Sequence, residues 1–270
     1  MPEYIVQWSQ ALDFDPLYTP GDTVTILAAR TASVKAAFLQ GSKPDEELAE
    51  LANTLERDLL SWSESTLAAG SVCSFHNIHD LDSTHSWNGT KQEYGIPQAH
   101  RYWNKWRCLR IVVSRLLEAL WRRSWPTLLQ LAQPMPNSEH YRSVRNRMAS
   151  DICTAAAYAF GTDSSALPPR GSVSAGYLMV MPLCVAGTVL LEQLAEPITS
   201  PGGSRIILVD QPLHLDLFNQ TSTQLAWVIE RLDYIANKIG VNWAVAVSRF
   251  LKGEKRIYFD IGRSSVYWSV

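Results

Sequence analysis

Four cysteines, at 73, 108, 153 and 184, are spread over 270 residues, and no two form a C-x-x-C pair. Zinc fingers and zinc clusters need ligands at that close spacing, so the sequence excludes them. An excess of positive charge is lacking too. The 24 Lys+Arg stand against 26 Asp+Glu, a net charge of −2. Direct nucleic-acid binding, which depends on a visible surplus of cations, is not expected. The longest apolar stretch, 175–191, carries Gly176, Gly187 and a central Pro182 and is slightly short for a bilayer, so no membrane span is expected. The start, MPEYIVQWSQ, has neither a basic region nor an apolar run of leader type. An intracellular, cytoplasmic protein with reduced thiols is therefore expected. Reaction signatures are missing as well: no G-x-S-x-G, no P-loop, no G-x-G-x-x-G and no D-D-x-x-D. The expectation is that no metal and no cofactor is used.

What is present is core-forming material, with 46 % apolar residues, 19 % charged residues and ten tryptophans. Such a composition argues against disorder. Helical periodicity dominates. In 45–62, Leu48, Leu51, Ala52, Leu55, Leu59 and Trp62 fall on one stripe, with acids at 45–47 suited to a helix start. In 98–122, Tyr102, Trp106, Leu109, Val113, Leu116 and Leu120 align. Further helices are expected over about 23–39, 138–161 (closed by Gly161), 221–239 and 241–252. The apolar segment 175–195 reads as a buried helix pair broken or kinked at Pro182. A short strand is expected at 206–210 and a C-terminal hairpin around 260–264. No repeat and no linker is visible. The sequence thus predicts a mostly helical chain, one domain over 1–270.

Chemistry-bearing residues are few. The densest set lies in CSFHNIHDLDSTH, residues 73–85, which reads as a polar surface loop. A metal role is disfavoured because no known ligand spacing is matched. His76 is kept as a group at a pocket mouth, able to exchange a proton. Arg107 and Arg110 sit near the aromatic edge of their helix, placed either to pair with a buried acid or to reach a pocket. Asp151, between Ser150 and Ile152, is a lone helical carboxylate, and Arg107 or Arg110 is its natural partner. Met179 and Met181 read as core fillers rather than ligands.

Several ordered segments resemble the fungal-specific transcription factor domain, the regulatory region that follows a Zn2Cys6 DNA-binding cluster. They are LERDLLSW (55–62), YWNKWRCLRI (102–111), ASDICTAAAYAFG (149–161), GYLMVMPLCVAG (176–187) and WVIERLDYIANKIGVNWA (227–244). Trp103, Asn104, Arg107, Arg110 and Ile111 match the family's first motif. Asp151, Ile152 and Cys153 match the second, and Pro182 and Leu183 the third. Arg231, Leu232, Tyr234, Ile235, Gly240 and Val241 match the last. Met181 and Ala236 depart from it, standing where Trp and Gly are usual, and the gap from Gly187 to Trp227 is long. The resemblance covers about 45–251 and implies an all-α single domain of mostly antiparallel helices around a central apolar pocket, here without the zinc cluster.

Two functions follow from that resemblance. One is a stand-alone, cofactor-free enzyme of fungal secondary metabolism that cyclises or rearranges an apolar substrate, for instance by a Diels–Alder closure. Trp103, Tyr158, Met181 and His76 would bind the substrate, and Arg107, Arg110 and Asp151 would polarise it. The other is a ligand-sensing or partner-binding regulatory domain, nuclear in that case, whose pocket takes an apolar effector. There an Arg110–Asp151 pair would be structural only.

Overall fold

The computed structural model describes residues 19–68, 71–79, 85–124, 138–160, 173–195 and 212–254. Seven α-helices and one two-stranded sheet make up these residues. The helices are α1 (Pro20–Gln40), α2 (Asp45–Leu67), α3 (Pro97–Ser124), α4 (Ser138–Phe160), α5 (Val173–Ala195), α6 (Pro212–Tyr234) and α7 (Asn242–Leu251). The strands are β1 (Phe75–His79) and β2 (Thr90–Tyr94), and a π-helical turn, Ile235–Ile239, follows α6. The chain is all-α apart from this one ribbon. The expected strand at 206–210, the hairpin at 260–264 and the Gly161 cap lie outside the described residues.

The chain gathers into two compact units whose segments interleave. One takes the residues up to Ile78 and Gln92–Met148; the other takes His79–Lys91 and Ala149 onward. One of the crossings lies inside α4, an unbroken helix, so the division leaves no linker for the sequence to show.

In the first unit, α1, α2 and α3 pack against one another. Helix α1 starts at a reciprocal cap. The Thr19 hydroxyl accepts the Asp22 N–H, and the Asp22 carboxylate accepts the Thr19 N–H at 3.1 Å. Of the predicted stripe of α2, Leu48, Ala52, Leu55, Leu59 and Trp62 are buried and Leu51 is half-buried, and the helix continues to Leu67. Three tryptophans knit the layers. Trp62 stacks on Trp106 at 6.3 Å and meets Trp103 edge-on at 5.0 Å. Each donates its indole N–H to a backbone carbonyl: Trp62 to Pro20, Trp103 to Cys73 and Trp106 to Leu59, all at 2.7–2.8 Å. A buried indole needs such a partner, so the contacts fix both position and ring orientation.

Residues 75–79 form a strand, where the sequence suggested a loop. Phe75 explains the change: its ring lies 4.9 Å from Trp103 and 5.7 Å from Tyr94, so the segment is anchored from below. His76, Asn77 and His79 then face outward.

In the second unit, α5, α6 and α7 pack on one another. Helix α5 is continuous through Pro182, against the expected helix pair. Proline removes one ladder hydrogen bond, and the buried neighbours Met179, Val180, Leu183 and Cys184 hold the helix together across that gap. Two glycines allow the close approach. A Cβ at Gly176 would lie 3.0 Å from the Ile239 side chain, and one at Gly187 would lie 2.5 Å from Leu251 Cδ1. Gly240 ends the π-helical turn at φ +85°, a left-handed conformation suited to glycine. Among the described helices α5 is long and apolar enough to cross a membrane, yet 56 % of its most apolar window is buried inside the structure, as in a core helix.

Candidate functional site

The nominated residues divide between the two units. His76, Trp103, Arg107 and Arg110 belong to the first; Asp151, Tyr158 and Met181 belong to the second.

Arg107 is 1 % exposed. Its guanidinium donates to Gln92 Oε1 at 2.7 Å, Asn104 Oδ1 at 2.9 Å and the Tyr94 hydroxyl at 3.1 Å, and lies 5.2 Å from the Phe75 ring centroid. Its Nε is buried without a partner, and no carboxylate pairs with it among the described residues. A buried charge normally has a counter-ion. Here neutral oxygens and an aromatic face do that work, fastening β2 to α3. Arg107 is thus a clasp within the core, where the sequence offered a partner for an acid or a pocket group.

The acid against Arg110 is Glu56, whose Oε1 lies 3.0 Å from Arg110 Nη1. The sequence nominated Asp151 for this place. Asp151 is half-buried in the second unit, close to Cys153. The Glu56–Arg110 pair meets by charge more than by alignment: Arg110 Nε, Arg110 Nη1 and Glu56 Oε2 have no hydrogen-bond partner, and Arg110 lies 5.7 Å from the Trp106 ring. Burial raises the Glu56 carboxyl pKa, and Arg110 and His140 oppose that rise. Burial likewise lowers Arg110, opposed by Glu56 and helped by Arg147. A second buried pair links α3 to α4: Arg145 Nη1 lies 2.5 Å from Glu118 Oε2. Glu56 was missed because, beside Leu55 on an acidic helix, it reads as part of a solvated face.

Trp103 is fully buried among Phe75, Trp62 and Trp106. It is a core residue. His76 is exposed on β1. Tyr158 is buried in the second unit, whereas Met181 is 45 % exposed on α5. Neither the pocket role nor the core role read for Met181 fits that placement. It belongs to an outward apolar stripe with Val173, Tyr177 and Leu178. Among the described residues no group of three His, Cys, Asp or Glu gathers as metal ligands do.

The second unit has a polar hub of its own. Arg231, 4 % exposed, lies 2.6 Å from His85 Nδ1, pairs with Glu230 and sits near the rings of Trp227 and Tyr234. Burial first, and Arg231 second, lower the His85 pKa, so His85 accepts from this arginine as a neutral ring. In the same unit Cys153, which accepts from Gln224 Nε2 at 3.4 Å, is wholly buried. Burial pushes that thiol up to about 12, which makes it inert as a nucleophile.

A cleft of about 430 Å³ opens on the first unit, between α1 and α2. Its floor is Ile26, Leu27 and Trp62; its walls carry Thr23, Ser61, Ser65, Thr66, Ser71 and the pair Arg30–Asp58. That pair meets at 2.8 Å with each side chain about a third exposed. The volume falls in the range of small-molecule sites. Through Trp62 the cleft borders the Trp103–Trp106 cluster and hence Arg110.

Compared with family models, with curated proteins and with solved structures, the chain matches none.

Proposed function

We propose that this chain is the effector-binding body of a transcription regulator, in preference to a cyclase. One observation carries the choice: both arginines a cyclase would use, Arg107 and Arg110, are consumed by the fold. Arg107 is held by three neutral oxygens, Arg110 by Glu56, and Trp103 is locked among rings. A catalyst of cyclisation needs such groups aimed at a substrate. The accessible feature is the cleft, whose floor residue Trp62 is continuous with the packed cluster. A ligand seated there touches a residue that helps position α3, which is what a sensor requires. The ordered motifs of a fungal regulatory domain support the same reading. The apolar stripe Val173, Tyr177, Leu178 and Met181 favours a protein contact as its output.

The test is tethering. The chain is fused to a heterologous DNA-binding module and a reporter is read in cells. A change in reporter output relative to the module alone is expected. An unchanged output from a well-expressed, folded fusion overturns the regulatory reading.

A further inference from the structure

We infer that the α1–α2 cleft takes a neutral, polyhydroxylated small molecule, of the sugar or cyclitol class. The inference rests on the effector-binding reading and supplies the chemical class of its ligand. It starts from charge. Arg30 and Asp58 face one another at 2.8 Å, so the polar wall has no net charge. An anion meets Asp58, a cation meets Arg30, and either loses what it gains. A neutral ligand with adjacent hydroxyls uses both: it donates to the carboxylate and accepts from the guanidinium, which has four further N–H groups.

The hydroxyls of the cleft extend this pattern. Ser65 donates to the Trp62 carbonyl at 3.0 Å and retains acceptor capacity. Ser71 accepts the Cys73 N–H at 3.3 Å and retains its donor. Thr66 stands apart. It is 3 % exposed and its Oγ1 has no partner. Helical threonines usually bond the carbonyl four residues back, as Thr31 does to Leu27 at 2.8 Å. For Thr66 that carbonyl is Trp62's, already occupied by Ser65 in addition to the helix ladder. A χ1 step of about 120° exchanges its methyl and hydroxyl between staggered wells. The orphan hydroxyl is then the natural partner of a ligand oxygen at the cleft wall. Below it, Trp62 and Leu27 supply an apolar floor for the ring carbons.

The experiment uses the full chain, read by tryptophan fluorescence and calorimetry. Probes are D-glucose and myo-inositol, with D-glucuronate and D-glucosamine as charged counterparts, up to about 10 mM, a range that detects millimolar affinity. The neutral probes are expected to bind, and the charged ones to bind at least about tenfold more weakly. Asp58→Asn, which breaks only a partly exposed pair, and Thr66→Val, which keeps shape, are each expected to weaken binding roughly tenfold with unchanged circular dichroism. Absence of heat and fluorescence change with both neutral probes overturns the inference. So does tighter binding of a charged probe, or unaltered affinity in a folded Asp58→Asn. The tethering assay is scored separately, so probe binding with a silent reporter removes the regulatory reading and leaves the ligand class standing.

Discussion

Replacing Arg107 by Met tests whether a buried cation without a carboxylate partner acts as a clasp. The substitution keeps an unbranched side chain of similar reach and removes the charge. The parent makes three hydrogen bonds from the guanidinium, at 2.7, 2.9 and 3.1 Å. Bonds to a charged group contribute about 1.5–3 kcal/mol each, so their loss alone sets an upper bound of about 5–9 kcal/mol. Two effects reduce it. Removing the unpaired charge relieves a desolvation penalty of several kcal/mol. Gln92 Oε1 also keeps a donor, the Tyr94 hydroxyl at 2.7 Å. The expected net loss is about 2–4 kcal/mol, or a fall in Tm of roughly 4–16 °C. Guanidinium denaturation followed by tryptophan fluorescence reads it, because Trp62, Trp103 and Trp106 lie in the same unit. Arg107→Lys keeps the charge but lacks the planar fork that reaches three oxygens, and is expected to lose as much. An Arg107→Met protein as stable as its parent, within about 0.5 kcal/mol, refutes the clasp.

Other expectations follow from the same packing. Glu56 has a raised carboxyl pKa in the fold, so its contribution is full below the unfolded pKa and is lost as pH rises through the folded value. The parent should therefore lose stability relative to Glu56→Gln as pH rises above about 4, the ordinary glutamate range, in denaturant titrations; a constant difference contradicts it. Gly187→Ala places a Cβ 2.5 Å from Leu251 Cδ1 and should cost about 1–3 kcal/mol despite better helix propensity, with Leu251→Ala suppressing part of that loss in a double-mutant cycle. Cys153 should resist iodoacetamide at pH 8 in the native protein and label only after unfolding, whereas half-buried Cys108 labels first in peptide mass spectra.

Much of the fold was legible where one face of a helix is uniformly apolar. The stripes from Leu48 to Trp62 and from Tyr102 to Leu120 each emerged as expected. Reading failed where tertiary contact overrides a local signal. Pro182 promised a break, but the helix is held from both sides by buried neighbours. The His-rich segment promised a loop, but Phe75 pins it as a strand against Trp103. The two units escaped notice because one boundary runs through α4, where composition does not change. For the site, spacing correctly placed Trp103, Arg107 and Arg110 on one helix. It could not supply their partners, because Gln92 and Glu56 come from other elements. Nor could it show that hydroxyls scattered over α1 and α2 converge on one cleft.

The missing amide at Pro182 leaves the Leu178 carbonyl without its helical donor, and Leu178 is itself solvent-exposed. One ladder hydrogen bond is therefore missing about one turn before the midpoint of α5, in the stretch that its buried neighbours hold. The half of α5 on the N-terminal side of Pro182 carries Val173, Tyr177, Leu178 and Met181 outward. In α5 the exposed apolar stripe and the missing ladder bond share the N-terminal half, while the C-terminal half packs Gly187 closely against Leu251.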